Sequence, residues 1–218
     1  MRKMTIVYLN YNGGNLVKRT LPLLIMSLNT APIEGEIVVV DNGSTDDFDW
    51  GIYEAHKNVN VVKMPENKGF SGGNIEGFKW ASGNWITFIS NDVLVPSQYP
   101  WNYFAEERRE DVLYGASMIT GPAGWNEIDG AAYPYVEGYF VCAHQNVWKK
   151  IMWDERFYPA DCEDIDLSIQ AKENNIELKK APSGLRHIGS ATLGHRMNTT
   201  QKMKQVLDTK WRETWKKT

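Results

Sequence analysis

The chain has 218 residues, a length that suits one domain, or one domain with a tail. Its formal net charge of −3 favours neither nucleic acid nor an anionic membrane as the default partner. Its two cysteines, Cys142 and Cys162, follow no metal-ligand spacing, which indicates a reduced, cytoplasmic chain. We expect no signal peptide and no membrane span, because Met1-Arg-Lys leads directly into an apolar strand and no apolar run approaches ~20 residues.

The first hundred residues alternate apolar runs with helical patterns. Strands are predicted near 4–9, 36–41, 59–63 and 85–90, with helices near 15–29, 46–56 and 72–82. Ser44 and Thr45 are suited to cap the second helix. Because the strand runs are rich in β-branched residues, they predict strands buried on both faces. The repeated strand–helix units therefore predict an α/β fold with a mostly parallel central sheet flanked by helices.

Beyond Pro96 the pattern predicts a smaller, mixed region. In chain order we expect a helix near 97–109, a strand near 112–119, loops and short antiparallel strands over 121–139, helices near 143–151 and 163–174, and short strands at 176–180 and 185–187. This change divides one domain, 1–200, into halves at 1–96 and 97–200. A basic helical tail, 201–218, follows it.

Two apolar strands each run into a carboxylate. EIVVVD ends at Asp41, and WITFIS is followed by Asn91 and Asp92. Ligands of open α/β sheets collect outside the carboxyl ends of the strands, so this edge favours a polar ligand, a cation or both. Asp41 suits either a helix cap or hydrogen bonds from a base or ribose, and Asp92 either a turn or a divalent metal. The dinucleotide fingerprint GxGxxG is missing after the first strand, which argues against a Rossmann dehydrogenase.

Three further features leave alternatives open. Segment 67–77 has more glycine than a helix start needs, which indicates close approach of the backbone to another group. At helical spacing Glu163 and Asp166 share a face and Asp164 points elsewhere. This cluster suits either a solvated helix start or a general base over a pocket. A lone histidine such as His187 is more often structural, although neutral imidazole is a good Mn²⁺ ligand beside a carboxylate.

Taken in order, these segments resemble the inverting glycosyltransferases of family 2, which have the GT-A fold. TIVYLNYNGGN looks like the opening strand, EIVVVDNGSTDD the nucleotide-binding strand, and NKGFSGGNIEG the glycine-rich segment of rhamnosyltransferase-like members. FISNDVLVP stands where the metal-binding DxD motif belongs. VEGYFVCAHQNVWKKI and WDERFYPADCEDIDLSIQAKENN resemble the acceptor-side segment with its ED motif, and RHIGSATLGH the closing element with its histidine. The series covers most of residues 4–195.

The resemblance implies transfer of one sugar, with inversion, from a nucleotide-diphosphate sugar (UDP- or dTDP-linked first) to an acceptor hydroxyl. It implies that 1–96 binds the nucleotide sugar, that 97–200 faces the acceptor, and that Asp164 is the catalytic base. Asp92 and His187 would hold Mn²⁺ or Mg²⁺, and Gly138 and Glu163 would contact the acceptor. The implied donor-binding residues are Leu9, Asn10, Asn12, Asp41, Gly69, Gly73, Asn74 and Asn91. Ser90 replaces the first acid of DxD, a departure that bears on metal affinity and identity.

Two other functions compete with a transferase. A sugar nucleotidyltransferase would carry a GxGxR opening loop, which residues 9–16 lack. A non-catalytic sugar- or nucleotide-binding module is compatible with the altered DxD. We expect the acceptor to be a glycan, a lipid-linked glycan or a protein, and expect no nucleic acid by default.

Aromatic residues raise two further alternatives. Trp125, Tyr133, Tyr135 and Tyr139 suit either stacking on sugar rings or packing within the protein. In the tail, Met203, Leu207, Trp211 and Trp215 recur every four residues and form one apolar stripe. This stripe predicts a helix packed on its own domain or on a second copy, with peripheral contact at the inner face of a membrane as the alternative.

Overall fold

The computed structural model describes residues 3–107, 109–189 and 197–217. The first half contains β1 (Lys3–Asn10), α1 (Gly14–Asn29), β2 (Glu34–Asp41), α2 (Gly51–Glu54), β3 (Val59–Lys63), α3 (Gly69–Lys79), β4 (Trp85–Ser90) and β5 (Val93–Leu94). The second half contains α4 (Tyr99–Glu106), β6 (Val112–Gly115), β7 (Met118–Ile119), β8 (Glu127–Ile128), β9 (Ala131–Ala132), β10 (Tyr135–Val136), β11 (Phe140–His144), α5 (Gln145–Trp148), α6 (Glu163–Glu173), β12 (Glu177–Lys180), β13 (Arg186–His187) and α7 (Met197–Trp215).

A seven-stranded sheet forms the centre of the chain. Its strand order is β12-β6-β11-β4-β1-β2-β3, and every neighbouring pair is parallel except the two that involve β11. The predicted mostly parallel sheet is therefore confirmed, because the buried apolar runs of β1, β2 and β4 lie side by side at its middle. One apolar cluster covers each face, with α1 and α4 on one side and α3 and α6 contributing to the other.

The predicted helix over 46–56 is wrong, and only the single turn α2 forms there. Asn12 accounts for the difference, because its side-chain oxygen accepts hydrogen bonds from the amides of Thr45 (2.7 Å) and Asp46 (3.3 Å). Ser44 caps no helix and instead accepts a hydrogen bond from the Asn12 amide at 2.9 Å. Amides that would begin a helix are thus bound to the β1–α1 loop.

The glycine-rich segment is itself helical, since α3 begins at Gly69, earlier than the predicted 72. Gly73 faces the sheet, where a Cβ atom would collide with the side chain of Leu9 and lie 3.0 Å from Asn42 Nδ2. Gly69 has φ +73°, and a Cβ there would lie 2.8 Å from the Pro159 carbonyl oxygen. The expectation that the backbone approaches other groups closely is confirmed, because α3 lies directly against β1 and β2.

The second half follows the predicted order with shorter elements. The helices expected near 97–109 and 143–151 are α4 and α5, and the strand expected near 112–119 is interrupted between β6 and β7. The antiparallel strand β11 places its start, Phe140, beside the end of β4, with Phe140 paired to Ile89. As a result Gly138 and Tyr139 lie at the same sheet edge as Asp92.

The C-terminal helix packs on the domain through its apolar stripe. Met203, Leu207 and Trp211 are buried against a cluster that includes Phe157 and Ile165. Of the predicted alternatives, packing on the chain's own domain is the arrangement that the structure shows. Over the described ranges, none of the helices combines the length and the apolar character that crossing a membrane requires.

Candidate active site

A cavity of about 780 Å³ opens at the carboxyl edge of the central strands. Most of the site residues predicted from the sequence line it: Leu9, Gly69, Asn91, Asp92, Gly138, Glu163, Asp164 and His187. The remaining predicted residues lie outside its lining: Asn10, Asn12, Asp41, Gly73 and Asn74. The fold therefore brings the two proposed metal ligands, the proposed base and the proposed acceptor contacts into one space.

Asp92 and His187 meet through the pairing of two short strands. β13 runs antiparallel to β5 with His187 opposite Val93, and the Ile188 amide donates to the Asp92 carbonyl at 2.9 Å. This register holds His187 Nε2 3.2 Å from Asp92 Oδ2. Tyr139 stacks on the imidazole at 4.1 Å and 17° and so fixes the plane of the ring.

The donor set of this pair suits a divalent cation. Asp92 is 5% exposed, and its Oδ1 is buried without a hydrogen-bond partner among the described residues. A buried carboxylate oxygen in this state is costly unless a ligand satisfies it. No cluster of three or more His, Cys, Asp or Glu able to hold a metal occurs in the ranges the structure describes. A two-residue site of this kind takes its other ligands from substrate phosphates and water.

Asp164 lines the same cavity from the first turn of α6. Its Oδ2 accepts a hydrogen bond from the Gly138 amide at 3.1 Å, and its Oδ1 accepts one from the Ile165 amide at 2.8 Å. Burial raises the pKa of the Asp164 carboxyl to about 6, with these two amides acting in the opposite direction. Near neutral pH the group is therefore ionised but basic enough to accept a proton, as a general base requires.

The acidic cluster divides differently from the helical-wheel expectation. Glu163, 8% exposed, lines the cavity together with Asp164, whereas Asp166 is fully buried against α7. Glu163 is the first residue of α6 and reaches the cavity from the end of the helix. The expected separation of Asp164 from the Glu163 face is thus wrong, while the separation of Asp164 from Asp166 is confirmed.

Hydrogen bonds fix the turn that carries Asn91 and Asp92. The Asn91 side chain donates to Asn10 Oδ1 at 2.7 Å, and the Asn91 carbonyl accepts from Thr20 Oγ1 at 2.9 Å. Gly13 leaves room for this contact, because a Cβ there would collide with the Asn91 amide. Asn10 is fully buried and supports the wall, while Leu9 and Asn91 face the cavity itself.

Asp41 ends β2 beside Asn10 and is bound by a tryptophan rather than by a helix start. Trp50 Nε1 donates to Asp41 Oδ2 at 3.0 Å, and Asp41 Oδ1 is buried with no partner in the described part of the chain. Asn74 is 1% exposed, and neither its Oδ1 nor its Nδ2 has a partner within the described ranges. Both side chains keep unused hydrogen-bonding capacity but lie outside the cavity lining, and their donor-binding role stays a prediction.

Asn42 and Asn67 were missed by the sequence reasoning, and both line the cavity. Asn42 Nδ2 donates to the Gly69 carbonyl at 2.9 Å and to Asn67 Oδ1 at 3.0 Å, while Asn42 Oδ1 accepts from the Lys68 amide at 3.0 Å. Asn67 Oδ1 also accepts from the Gly69 amide at 2.7 Å. The two asparagines therefore set the left-handed turn that starts α3. Their signal in the sequence was position, since Asn42 directly follows the strand-ending Asp41 and Asn67 begins the glycine-rich segment 67–77.

Aromatic side chains contribute to the lining of the cavity. Trp125, Tyr135 and Tyr139 line the cavity, and Trp125 is 50% exposed. The indole is held in place by a hydrogen bond from its Nε1 to Tyr135 Oη at 3.1 Å. Tyr133 packs instead against Trp215, at 5.5 Å between ring centroids. Of the four aromatic residues considered, Trp125, Tyr135 and Tyr139 line the cavity, and Trp125 is the one that is half-exposed, whereas Tyr133 is a packing residue.

The surface loop that carries Trp125 is built around Asn126. Its side chain is fully buried, accepts from the Ala123 amide at 2.8 Å, and donates to the carbonyls of Gly121 (3.0 Å) and Tyr133 (2.9 Å). These bonds close the loop on itself, so the exposed indole is presented from a defined backbone rather than from a free segment.

Comparison with known proteins places this geometry in a family. In sequence, the chain is 27% identical over 151 residues to the Glycosyltransferase GlyA of Streptococcus pneumoniae serotype 4, covering 66% of this chain and 20% of that protein. In structure, it resembles the mannosyltransferase PcManGT from Pyrobaculum calidifontis, solved with GDP-Man and Mn²⁺, with a TM-score of 0.65 at 16% identity. That match covers 83% of this chain and 55% of the solved one.

A second solved structure, residues 1–349 of TarS from S. aureus, matches with a TM-score of 0.62 at 20% identity, covering 84% of this chain and 58% of that one. The chain thus spans a fifth of the length of GlyA and little more than half of the two solved structures. The structural likeness confirms the predicted GT-A fold. The model of the family described as Glycosyl transferase family 2 matches residues 5–126, which is more than half of the chain. The chain therefore belongs to that family.

Proposed function

We propose that this chain is an inverting glycosyltransferase that moves a sugar from a nucleoside-diphosphate sugar to an acceptor hydroxyl. The observation that carries the proposal is one cavity lined both by a basic carboxylate, Asp164, and by a carboxylate–imidazole pair, Asp92 and His187. Trp125 and Tyr135 line the same cavity and offer aromatic side chains to an acceptor sugar. The groups proposed for the donor and those proposed for the acceptor thus open into a single space.

In the proposed reaction, Asp164 accepts the proton of the acceptor hydroxyl. As that proton leaves, the hydroxyl oxygen forms a bond to the anomeric carbon on the face opposite the nucleoside diphosphate. The bond between the anomeric carbon and the diphosphate oxygen breaks, and its electron pair leaves with the nucleotide. A correctly placed general base contributes about 10²–10⁴-fold to such a rate. The Gly138 amide holds the carboxylate in the ionised, proton-accepting state.

Asp92 and His187 are the residues that would hold Mn²⁺ or Mg²⁺, Asp92 through Oδ1 and His187 through Nε2. When bound, a divalent cation at this place stabilises negative charge on the departing diphosphate. The stacked ring of Tyr139 keeps the imidazole in one orientation for this purpose. Ser90, which replaces an acid of the usual motif, lines the cavity as a neutral side chain, so Asp92 is the only carboxylate of the Ser90–Asp92 segment.

The nucleotide is proposed to lie along β1, β2 and α3. Support comes from Asp41 Oδ1, which lies at the same sheet edge, just outside the cavity lining, and has no hydrogen-bond partner among the described residues. Such an acceptor suits the N–H of a pyrimidine base. UDP- and dTDP-sugars fit this acceptor equally. A GDP-sugar is a further candidate donor, because the mannosyltransferase PcManGT, which shares the fold, was solved with GDP-Man.

The first experiment is calorimetric titration of the purified protein with UDP, dTDP, GDP and CDP, each with and without Mn²⁺. We expect one diphosphate to bind in a metal-dependent manner, and Asp92→Ala to abolish that dependence. Asp47→Ala, which removes an exposed carboxylate outside the cavity, is the matched control and should bind like the wild type. Absence of binding for all four nucleotides would contradict the proposal.

A non-catalytic binding module is the competing function. It would bind the same nucleotide but would release none from the corresponding sugar nucleotide. Nucleoside-diphosphate release by the wild type, reduced in Asp164→Asn with unchanged nucleotide affinity, separates the two. Equal release by the wild type and Asp164→Asn would remove Asp164 from the proposed mechanism.

A further inference from the structure

The C-terminal helix α7 contacts the helix that carries Asp164 through polar groups as well as through its apolar stripe. Trp211 Nε1 donates to Asp166 Oδ1 at 2.9 Å, and Lys210 Nζ lies 2.6–2.7 Å from the two oxygens of the same carboxylate. Lys210 also donates to Asp154 Oδ2 at 2.9 Å. Asp166 has no exposed surface, and the side chains of Lys210 and Asp154 are 13% and 16% exposed.

The start of α6 needs such support. Asp161 and Cys162, the two residues before the helix, both have positive φ (90° and 65°), and Cys162 provides no side-chain cap. Two consecutive non-glycine residues with positive φ cost conformational energy, and they persist only where the surrounding structure holds them in place. The N-terminal part of α7 also contacts this turn, because Thr200 Oγ1 donates a hydrogen bond to Asp161 Oδ2 at 3.0 Å.

A buried ion pair is weak evidence for stability, because apolar side chains of similar volume stabilise as well or better. The best-attested role of such a pair is to fix one relative register and one rotation of the two helices that it joins. Asp164 and Asp166 are two positions apart, which separates them by about 200° around the helix axis. When Lys210 and Trp211 turn Asp166 inward to α7, Asp164 is turned outward to the cavity.

We propose that Lys210 and Trp211 are positioning residues for the catalytic base: through Asp166 they set the rotation of α6 that presents Asp164 to the acceptor. The inference rests on the proposed role of Asp164. It assigns α7 a part in the reaction, although among the side chains of α7 that the structure describes only Thr200 lines the cavity, and neither Lys210 nor Trp211 does.

The test compares three proteins with the wild type. Trp211→Phe keeps the aromatic packing and removes only the hydrogen bond to Asp166. A double variant, Lys210→Met with Asp166→Asn, removes the ion pair without leaving Asp166 as an unpaired buried charge, while Asp154 keeps its ion pair with Arg156. It covers the case in which a single charge deletion fails to fold. The control is Arg212→Met, which removes an exposed ion pair of the same helix to Asp129 on the β8–β9 turn, at 2.7 Å.

Two readouts are measured on each protein. The first is hydrogen exchange of the peptide over 161–168, whose Asp166 amide closes the first turn by donating to the Cys162 carbonyl at 2.9 Å. The second is the pair of values kcat, for nucleoside-diphosphate release, and Kd, for UDP with Mn²⁺ or for whichever of dTDP, GDP and CDP binds. Comparing the two shows whether a variant affects turnover or nucleotide binding. The stoichiometry of that titration counts folded sites, so a loss of folded protein is not mistaken for a loss of kcat.

We expect exchange over 161–168 to accelerate and kcat to fall by about ten- to a hundredfold in Trp211→Phe and in the double variant. Nucleotide Kd and stoichiometry should stay at the wild-type values, and Arg212→Met should match the wild type throughout. Unchanged exchange in both variants overturns the proposal, as does faster exchange with unchanged kcat. If the wild type turns over no sugar nucleotide, the proposed function fails, while the exchange data still decide whether α7 sets α6.

Discussion

Replacing the proposed base by its neutral isostere, Asp164→Asn, should lower turnover and raise stability at the same time. Turnover should fall by about 10²–10⁴-fold because the proton acceptor is lost. Stability should rise because burial raises the pKa of the Asp164 carboxyl from its ordinary 3.8 to about 6. Ionising this group in the folded protein therefore costs up to about 3 kcal/mol relative to the unfolded chain.

The sign of the pH dependence follows from the two pKa values. Below about pH 4 both states carry the proton and the cost is absent, whereas above about pH 7 both are ionised and the cost is complete. The asparagine loses part of the hydrogen bonding from the Gly138 and Ile165 amides, a loss of about 1 kcal/mol. We therefore expect the free energy of unfolding of Asp164→Asn to exceed that of the wild type by about 1–2 kcal/mol at about pH 8. This difference should disappear towards about pH 4.5.

Urea unfolding of both proteins at several pH values measures the effect directly. Asp47→Asn, which changes an exposed acid, provides the control and should show no such pH-dependent gain. A stability difference that does not vary with pH would refute the assignment of a raised pKa to Asp164. A variant less stable than the wild type at about pH 8 would show that the hydrogen bonds outweigh the buried charge.

Three further predictions concern the same cavity. The kcat/KM of the wild type should rise with pH through about 6 and then level, since Asp164 must be ionised, and a flat profile between about pH 5 and about pH 8 would exclude it as the base. Gly69→Ala should cost about 1–3 kcal/mol in unfolding experiments and weaken nucleotide binding, because φ is +73° and the new Cβ would meet the Pro159 carbonyl. Trp125→Ala should raise the acceptor KM by about tenfold without altering nucleotide affinity. Trp80→Ala, an equally exposed tryptophan (53%) outside the cavity lining, should alter neither.

Local pattern in the sequence was sufficient for the central sheet and for the ends of its strands. The β-branched runs of β1, β2 and β4 can be buried on both faces only in a covered parallel sheet, which brings their carboxyl ends to one edge. Asp92, at the end of such a run, was therefore placed correctly at the cavity. Asp164 was predicted from the resemblance of the ordered segments to a family. The sequence around it is equally compatible with a solvated helix start.

The exact partners of these side chains were decided by tertiary structure. Asp41 does not cap a helix, because the Trp50 indole donates a hydrogen bond to one of its oxygens. The helix expected over 46–56 does not form in full, because Asn12 accepts a hydrogen bond from the Thr45 amide. Asp166 and Trp211 are 45 positions apart, so no periodicity in the sequence predicts their hydrogen bond. Hydrophobic period determines which face of an element is buried, because burial acts on every residue of that face alike. A hydrogen bond or an ion pair depends on two particular atoms meeting within about 3 Å, which only the packed chain decides.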